Sequence, residues 1–311
     1  MTKDFLQFNH KANLKFLLKS FLALIVLIAL FIYGYFELLK TQKVKTKIKE
    51  ENVDNFTYTS NPDWLALEPQ LQARSLIVAN LDTKEIYVSK HPDVFVNIAS
   101  LSKLMTAIVA IDNLDLNKII TVSNRAIETS GSGDHLQAGE QFTVKNLLSD
   151  LLVFSSNDAA VALSEGVGYN RFIGLMNQKA KEIGLKETAF FDATGLDERG
   201  NFSNASDLLA LVDYVYKNYP LIGITSRLPS LSFKSISGIE HNVINTDELI
   251  DKISGLWLSK TGTTDNAGEC LILVYRLNNG QTVTSIILGS TDRFADSWLI
   301  YDHFKQAGLT I

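Results

Sequence analysis

The sequence predicts an α+β fold in which a mostly antiparallel sheet is formed by both chain ends around a central helical subdomain. Near the start, the β-rich runs Ser75-Leu76-Ile77-Val78-Ala79-Asn80 and Glu85-Ile86-Tyr87-Val88-Ser89 flank the turn Leu81-Asp82-Thr83-Lys84. Near the end, Leu271 to Leu277 and Thr282 to Leu288 bracket Asn278-Asn279-Gly280, a strong hairpin signal. The long segments between these hairpins carry helical spacing, and strands, then helices, then strands is the order expected when a single sheet closes from its two ends. With 311 residues, 46% of them apolar and only 5 prolines, the chain has ample material for a core.

Taken in order, the chain begins with a short segment, residues 1–19, that carries Lys3, Lys11, Lys15 and Lys19. From Ser20 to Phe36 it is uncharged and almost wholly apolar, so residues 20–39 approach the roughly 20 residues that a membrane-crossing helix requires. No Ala-x-Ala site follows, and Glu37-Leu38-Leu39-Lys40 is a poor cleavage site, so an uncleaved anchor is expected. Lysines flank both sides of the span and leave its orientation open by charge alone. Residues 40–62, rich in Lys, Glu, Thr and Asn without periodicity, read as a polar stalk before a folded domain at 63–311. Within that domain Ser100 to about Leu114 is apolar nearly all round, as a helix buried inside a domain would be. Further helices are expected at Thr143 to Phe154, Asp158 to Glu165, Tyr169 to Ile183 and Ser206 to Tyr216. A last one runs from Ala295 to Ala307, with Trp298, Tyr301 and Phe304 at helical spacing and Gly308 as its C-terminal cap.

Composition narrows the function. A net charge of −5, with no basic stripe interleaved with aromatics, speaks against nucleic-acid binding. The single cysteine, Cys270, excludes an internal disulfide and reads as a small buried hydrophobe in an apolar run. The five histidines fall at unrelated spacings without a metal-ligand pattern, so no metal is expected and they read as surface or loop residues.

Three short runs carry chemistry. In Ser100-Leu101-Ser102-Lys103 a hydroxyl and an amine stand three residues apart, one helical turn, so that Lys103 would act as base to Ser100. Burial among Ile98, Leu101, Leu104 and Met105, together with a neighbouring cation such as Lys260, would lower the Lys103 pKa as this requires. Ser100 is expected at the start of its helix, where backbone N–H groups favour a developing oxyanion. Ser155-Ser156-Asn157 lies at a junction between helices, where the plainer reading is a helix cap by Ser155 or Asn157. Lys260-Thr261-Gly262-Thr263-Thr264 continues an edge strand from Gly255, presents a cation and hydroxyls to a carboxylate, and has in Gly262 a residue that would let substrate backbone approach.

These three runs, with Leu136-Gln137-Ala138-Gly139-Glu140, Ala193-Thr194-Gly195-Leu196-Asp197 and Asp292-Arg293-Phe294-Ala295-Asp296, resemble the active-site motifs of the serine D-alanyl-D-alanine carboxypeptidases, the low-molecular-mass penicillin-binding proteins of bacteria. The likeness runs in order from about Ser75 to the C-terminus. It implies a β-lactamase/transpeptidase-like fold and a peptidase, without cofactor, that acts on peptidoglycan stem peptides ending in D-Ala-D-Ala and is acylated by β-lactam antibiotics. Carried over by position, it makes Ser100 the nucleophile, Lys103 its base, Ser155 a proton relay to the leaving amine and Asn157 a partner of the substrate amide. Lys260, Thr261, Gly262, Thr263 and Arg293 would bind the substrate, most of them at its terminal carboxylate, and the backbone N–H groups of Ser100 and Thr263 would form the oxyanion hole. The resemblance also places the catalytic domain outside the bacterial cell membrane, with the N-terminus inside.

The sequence departs from the family pattern at Ser156, where glycine is frequent, a change that adds little volume. A class A β-lactamase would need Glu-x-x-x-Asn, and the nearest run, Glu198-Arg199-Gly200-Asn201, is one residue short. Endopeptidase or transpeptidase action on the same scaffold remains an alternative, as does a module that binds cell-wall peptide without turning it over. Against the last stands the intact set Ser100, Lys103, Ser155, Asn157 and Lys260.

Overall fold

A computed structural model of the chain describes residues 56–59, 62–131, 135–197 and 200–307. The expected membrane span, the segment before it, most of the stalk and Gly308 lie outside these residues.

In chain order, β1 (Thr57–Tyr58) and the short helix α1 (Pro62–Leu65) lead into β2 (Ser75–Asn80) and β3 (Glu85–Lys90). A brief strand β4 (Val96–Asn97) precedes α2 (Lys103–Asn113), which is followed by β5 (Ile119–Thr121), α3 (Asn124–Ile127) and β6 (Gln141–Thr143). The helices α4 (Val144–Val153), α5 (Asn157–Val167) and α6 (Tyr169–Ile183) follow, then β7 (Phe202–Ser203), α7 (Ala205–Asn218) and α8 (Pro220–Ser226). The hairpin β8 (Ser230–Lys234) and β9 (Glu240–Ile244) leads to β10 (Leu256–Thr264), β11 (Gly268–Arg276), β12 (Thr282–Ser290) and α9 (Arg293–Gln306).

The main sheet has the order β1-β3-β2-β12-β11-β10, so the first and last strands of the domain are neighbours, as the two hairpin signals require. All its pairs are antiparallel except β1 with β3, and β1 falls within residues read from sequence as stalk. Because layers cover both faces, its central strands are buried continuously rather than at alternate residues. Ile77, Ala79, Ile272, Val274, Ile286 and Leu288 face the helical subdomain. Leu76, Val78, Leu271, Leu273, Val283 and Ile287 face a smaller core with Trp64, Ile300 and Phe304. Helix α9 closes that side through Ile300 and Phe304, and Trp298 and Tyr301 are partly buried against the same core.

Side-chain caps set the helix starts. Thr143 accepts from Asn146 N for α4, Asn204 from Asp207 N for α7 and Asp292 from Ala295 N for α9. The buried helix expected from Ser100 begins later. Residues Ala99–Ser102 form a 3-10 turn and regular α-helix starts at Lys103. The cause is local: Ala99 has φ +46°, and the Ser102 hydroxyl donates to the Ala99 carbonyl at 2.9 Å, which keeps the turn tight.

Of the histidines read as surface or loop residues, His241 proves to be buried in β9, whereas His135 is partly exposed in a turn. His135 and His241 bond Asp150 and Glu140 at 3.0 Å, and the His241 ring stacks on Phe233. Burying an imidazole beside a carboxylate satisfies both, a pairing that single-residue spacing does not reveal.

The turn carrying Ser100 is fixed from behind by Gly195. Its φ is +92°, and a Cβ there would lie 1.9 Å from the Ala99 carbonyl oxygen. Strain and overlap together make Gly195→Ala costly, by about 3 kcal/mol or more. Urea unfolding is expected to show that loss, whereas Gly174→Ala, on an open face of α6, is expected to leave the midpoint unchanged or raised.

Candidate active site

The 3-10 turn presents Ser100 and the first residue of α2 presents Lys103, so the eclipsed i, i+3 pair meets directly. Lys103 Nζ lies 2.7 Å from Ser100 Oγ, 2.7 Å from Asn157 Oδ1 and 2.8 Å from the Thr194 carbonyl oxygen. Helix α5 supplies Asn157 as its first residue, and Asn157 Nδ2 donates to the Ser130 carbonyl at 2.7 Å, which fixes the amide with its oxygen toward the lysine. Gly131 makes room for this, because a Cβ there would stand 2.8 Å from Asn157 Nδ2.

Lys103 is fully buried. Burial pushes its pKa down to about 7, and the negative charge of Asp192 opposes the fall. A neutral amine has two N–H groups and one lone pair. Asn157 Oδ1 and the Thr194 carbonyl, both acceptors, take the N–H groups and leave the lone pair for the Ser100 hydroxyl.

Lys260, also buried, donates to Ser155 Oγ at 2.8 Å and to the Thr261 carbonyl at 2.9 Å. Its pKa is driven well below the ordinary lysine value, first by burial and then by the charges of Lys103 and Arg293, while Asp247 opposes. Of the two causes expected for Lys103, burial is the one that lowers it, and the repulsion between the two cations registers on Lys260.

Ser155 sits between α4 and α5 with φ +64°, a left-handed conformation that is costly for serine and aims its hydroxyl at Lys260. It is not the helix cap, nor is Asn157. Ser156 caps α5 by accepting from Ala159 N at 3.1 Å, so the residue read as a tolerated replacement for glycine fixes the start of the helix that carries Asn157.

Strand β10 is the sheet edge, as expected. Its pleat sends Lys260, Gly262 and Thr264 toward the helices and Ser259, Thr261 and Thr263 the other way. Among the described residues, what approaches Gly262 is the Ser100 turn. A Cβ there would lie 3.0 Å from Ser100 N and 3.1 Å from the Ile98 carbonyl. The Thr261 hydroxyl is 2.5 Å from Thr246 Oγ1. Arg293, the first residue of α9, donates through Nη1 to the Gly262 carbonyl at 3.0 Å and to Thr263 Oγ1. Ser100, Lys103, Ser155, Asn157, Lys260 and Gly262 therefore meet on the helix side of β10, whereas Thr261 and Thr263 lie on its opposite face, with Arg293 bonded to Thr263.

Several residues at the site went unassigned in the sequence. Asp197 accepts from Thr264 Oγ1 at 2.6 Å, Asn266 N at 2.9 Å and Asn97 Nδ2 at 3.3 Å, tying the end of β10 to the segment before Ser100. Asp192 and Asn201 brace the loop that offers the Thr194 carbonyl, and Thr246 backs Thr261. Asp197 and Thr194 lie in one of the matching stretches, which is the only signal they gave. Cys270, opposite Gly262 in the ladder, is fully buried with its thiol pushed up to about 11, as a packing residue.

Comparison with known proteins gives the same picture. The profile of the D-alanyl-D-alanine carboxypeptidase family matches residues 63–292. The D-alanyl-D-alanine endopeptidase of Escherichia coli is 34% identical over 249 residues, which cover 78% of this chain and 77% of that protein. Among solved structures, a Streptomyces DD-transpeptidase superposes with a TM-score of 0.70 at 27% identity, covering 76% of this chain and 98% of the other. A penicillin-binding protein of Listeria monocytogenes, solved in its ampicillin-bound form, gives 0.66 at 29% identity over 75% of this chain and 97% of the other. The antiparallel sheet and helical subdomain are those of the penicillin-binding DD-peptidases, and the chain belongs to the D-alanyl-D-alanine carboxypeptidase family of serine peptidases.

Proposed function

We propose that this protein is a membrane-anchored serine D,D-carboxypeptidase that removes the terminal D-alanine from peptidoglycan stem peptides through an acyl-enzyme at Ser100. The observation that carries the reading is the buried Lys103 amine, whose two N–H groups are taken by Asn157 and Thr194 and whose lone pair faces Ser100 Oγ. A hydroxyl so placed transfers its proton to Nζ as Oγ bonds to the carbonyl carbon of the penultimate D-alanine. The oxyanion that forms is held by the backbone N–H groups of Ser100 and Thr263. Ser155, polarised by Lys260, passes a proton to the leaving D-alanine amine as the C–N bond breaks. The proton held by Lys103 replaces the one Ser155 gave, and water then attacks the ester, passing a proton through Lys103 to Ser100 Oγ as the ester bond breaks.

The far side of the gap supports the substrate's end. Lys260, the Thr261 and Thr263 hydroxyls and Arg293 put positive charge and donors along β10, where the free carboxylate of a peptide terminus would lie. A β-lactam, with its own carboxylate and strained amide, would enter the same way and stop at the acyl stage. The ampicillin-bound relative supports this reading. The E. coli relative is named an endopeptidase, which favours a second reading, cleavage of crosslinks by the same chemistry.

Anchoring rests on the uncharged stretch Ser20–Phe36, and a peptidoglycan substrate supports a catalytic domain on the outer side of the cell membrane. Deleting residues 1–39 is expected to move the protein from the membrane pellet to the soluble fraction with its D-alanine release intact; retention in the pellet would overturn the anchor.

Incubation with muropeptide monomers is expected to release D-alanine, and Ser100→Ala to abolish both that release and covalent labelling by a fluorescent penicillin. Persistent labelling of the variant would place the nucleophile elsewhere, and faster turnover of crosslinked dimers than of monomers would favour the endopeptidase.

Acylation requires Lys103 neutral, so lowering the pH through its pKa of about 7 is expected to slow labelling about tenfold for each unit below that point. A labelling rate flat between pH 5 and 8 would remove Lys103 as the base.

A further inference from the structure

On the face turned away from the helical subdomain, β10 carries the hydroxyls of Ser259, Thr261 and Thr263, and each has a partner of a different kind. Ser259 Oγ donates to Asp247 Oδ2 at 2.5 Å. Thr263 Oγ1 accepts from Arg293 Nη1. Thr261 Oγ1 lies 2.5 Å from Thr246 Oγ1, where either oxygen can be the donor. A hydroxyl has one proton to give, so these partners decide what the strand can offer an anion. Ser259 has spent its proton on a carboxylate. Thr263 keeps its own, because a guanidinium only donates. Thr261 can go either way: donating to Thr246 uses its proton up, whereas accepting from Thr246 leaves that proton for a carboxylate in the gap.

The segment that presents Thr246 is held by groups other than its hydroxyl. Thr246 N donates to the carbonyl of Val153 at 3.3 Å, two residues before Ser155. Asn245 Nδ2 donates to the Ser226 and Leu228 carbonyls at 2.8 Å each, and Asp247 Oδ1 accepts from Leu249 N at 2.8 Å. Asn245 Oδ1 accepts from Asp247 N at 2.9 Å, which closes a turn around Thr246. The turn therefore stands between the Ser155 junction and β10, with the Thr246 hydroxyl as its contact to Thr261. Valine at this position would keep the shape of threonine and every one of these bonds while losing the hydroxyl.

We propose that Thr246 is a positioning residue for carboxylate recognition: its hydroxyl donates to Thr261 Oγ1 and so turns the Thr261 proton toward the terminal carboxylate of the substrate. Thr246 does for Thr261 what Arg293 does for Thr263. Two hydroxyls of one strand then aim their protons at a group that can only accept, and each is a stronger donor for accepting a hydrogen bond itself.

The proposal rests on the carboxypeptidase reading and deepens it, and two substrates keep the two apart. One is a peptide ending in D-Ala-D-Ala with a free carboxylate. The other is an N-acyl-D-alanine ethyl thioester, which acylates the same serine but whose leaving group has no carboxylate. A parent protein that releases no D-alanine from the peptide overturns the functional reading and this proposal with it. Thr246→Val is expected to lower kcat/KM for the peptide about fivefold, the contribution of one neutral hydrogen bond, with most of the change in KM, and to leave the thioester unchanged. Thr246→Ser, which restores the hydroxyl, is expected to match the parent on both substrates. In a Thr261→Val background, adding Thr246→Val is expected to cost nothing more, since the hydroxyl it served is gone. An equal fall on both substrates, an undiminished kcat/KM for the peptide, or losses that add in the double variant overturns the role of Thr246 while leaving Ser100 as nucleophile. Should Thr246→Val give no folded protein, Thr246→Ala is measured in its place against the same outcomes.

Discussion

The site depends on keeping a lysine amine dry. In water Nζ is a hydrated ammonium and no base, whereas at the root of α2, sealed by the sheet and the helical subdomain, it reaches a pKa of about 7. Most of the surrounding structure follows from that requirement. The central strands are buried on both faces, most of α2 is buried, and the Asn157 and Thr194 oxygens that meet the amine are each held from behind.

Around this amine the architecture meets a second requirement, two rigid elements brought unusually close. Side chains are absent where the approach is tightest, at Gly262 against the Ser100 amide and Gly195 against Ala99. Backbone strain is accepted next to them, at Ala99 and Ser155, both with positive φ. Strain of about 1–3 kcal/mol at each such residue is typical of sites where placement matters more than stability. Arg293 and Asp197 then tie β10 to its surroundings at Gly262, Thr263 and Thr264, so the width of the gap is set by polar contacts on both faces of one strand.

Much of this was legible in the sequence because it is carried by local patterns. The paired hairpins gave the sheet's closure, the apolar run after Ser100 gave the buried helix, and three short motifs gave the side chains that meet around Lys103 and Lys260. What local pattern does not encode is which partner a buried group finds. The Gly262 gap is filled by a turn 160 residues earlier in the chain, the cap on α5 comes from Ser156 rather than its neighbours, and His135 and His241 find carboxylates in other elements. Asp192 was invisible for the same reason, since its bonds fix a loop whose carbonyl any residue type would supply. The start of α2 was misplaced because the 3-10 turn is dictated by Ala99 and Gly195, and nothing in the helical spacing reports it.

The pairing of β2 with β12 has a consequence for biogenesis. Val78 and Ser285 are partners across the middle of the sheet, so the first strands made have nothing to complete them until nearly the whole chain has been synthesised. Contacts of such long sequence separation close slowly, and the apolar faces of β2 and β3 stay uncovered in the meantime. A nascent chain stalled before β11 would present them to chaperones and proteases, and a truncation that removes the C-terminal hairpin would cost the molecule its sheet rather than one edge of it.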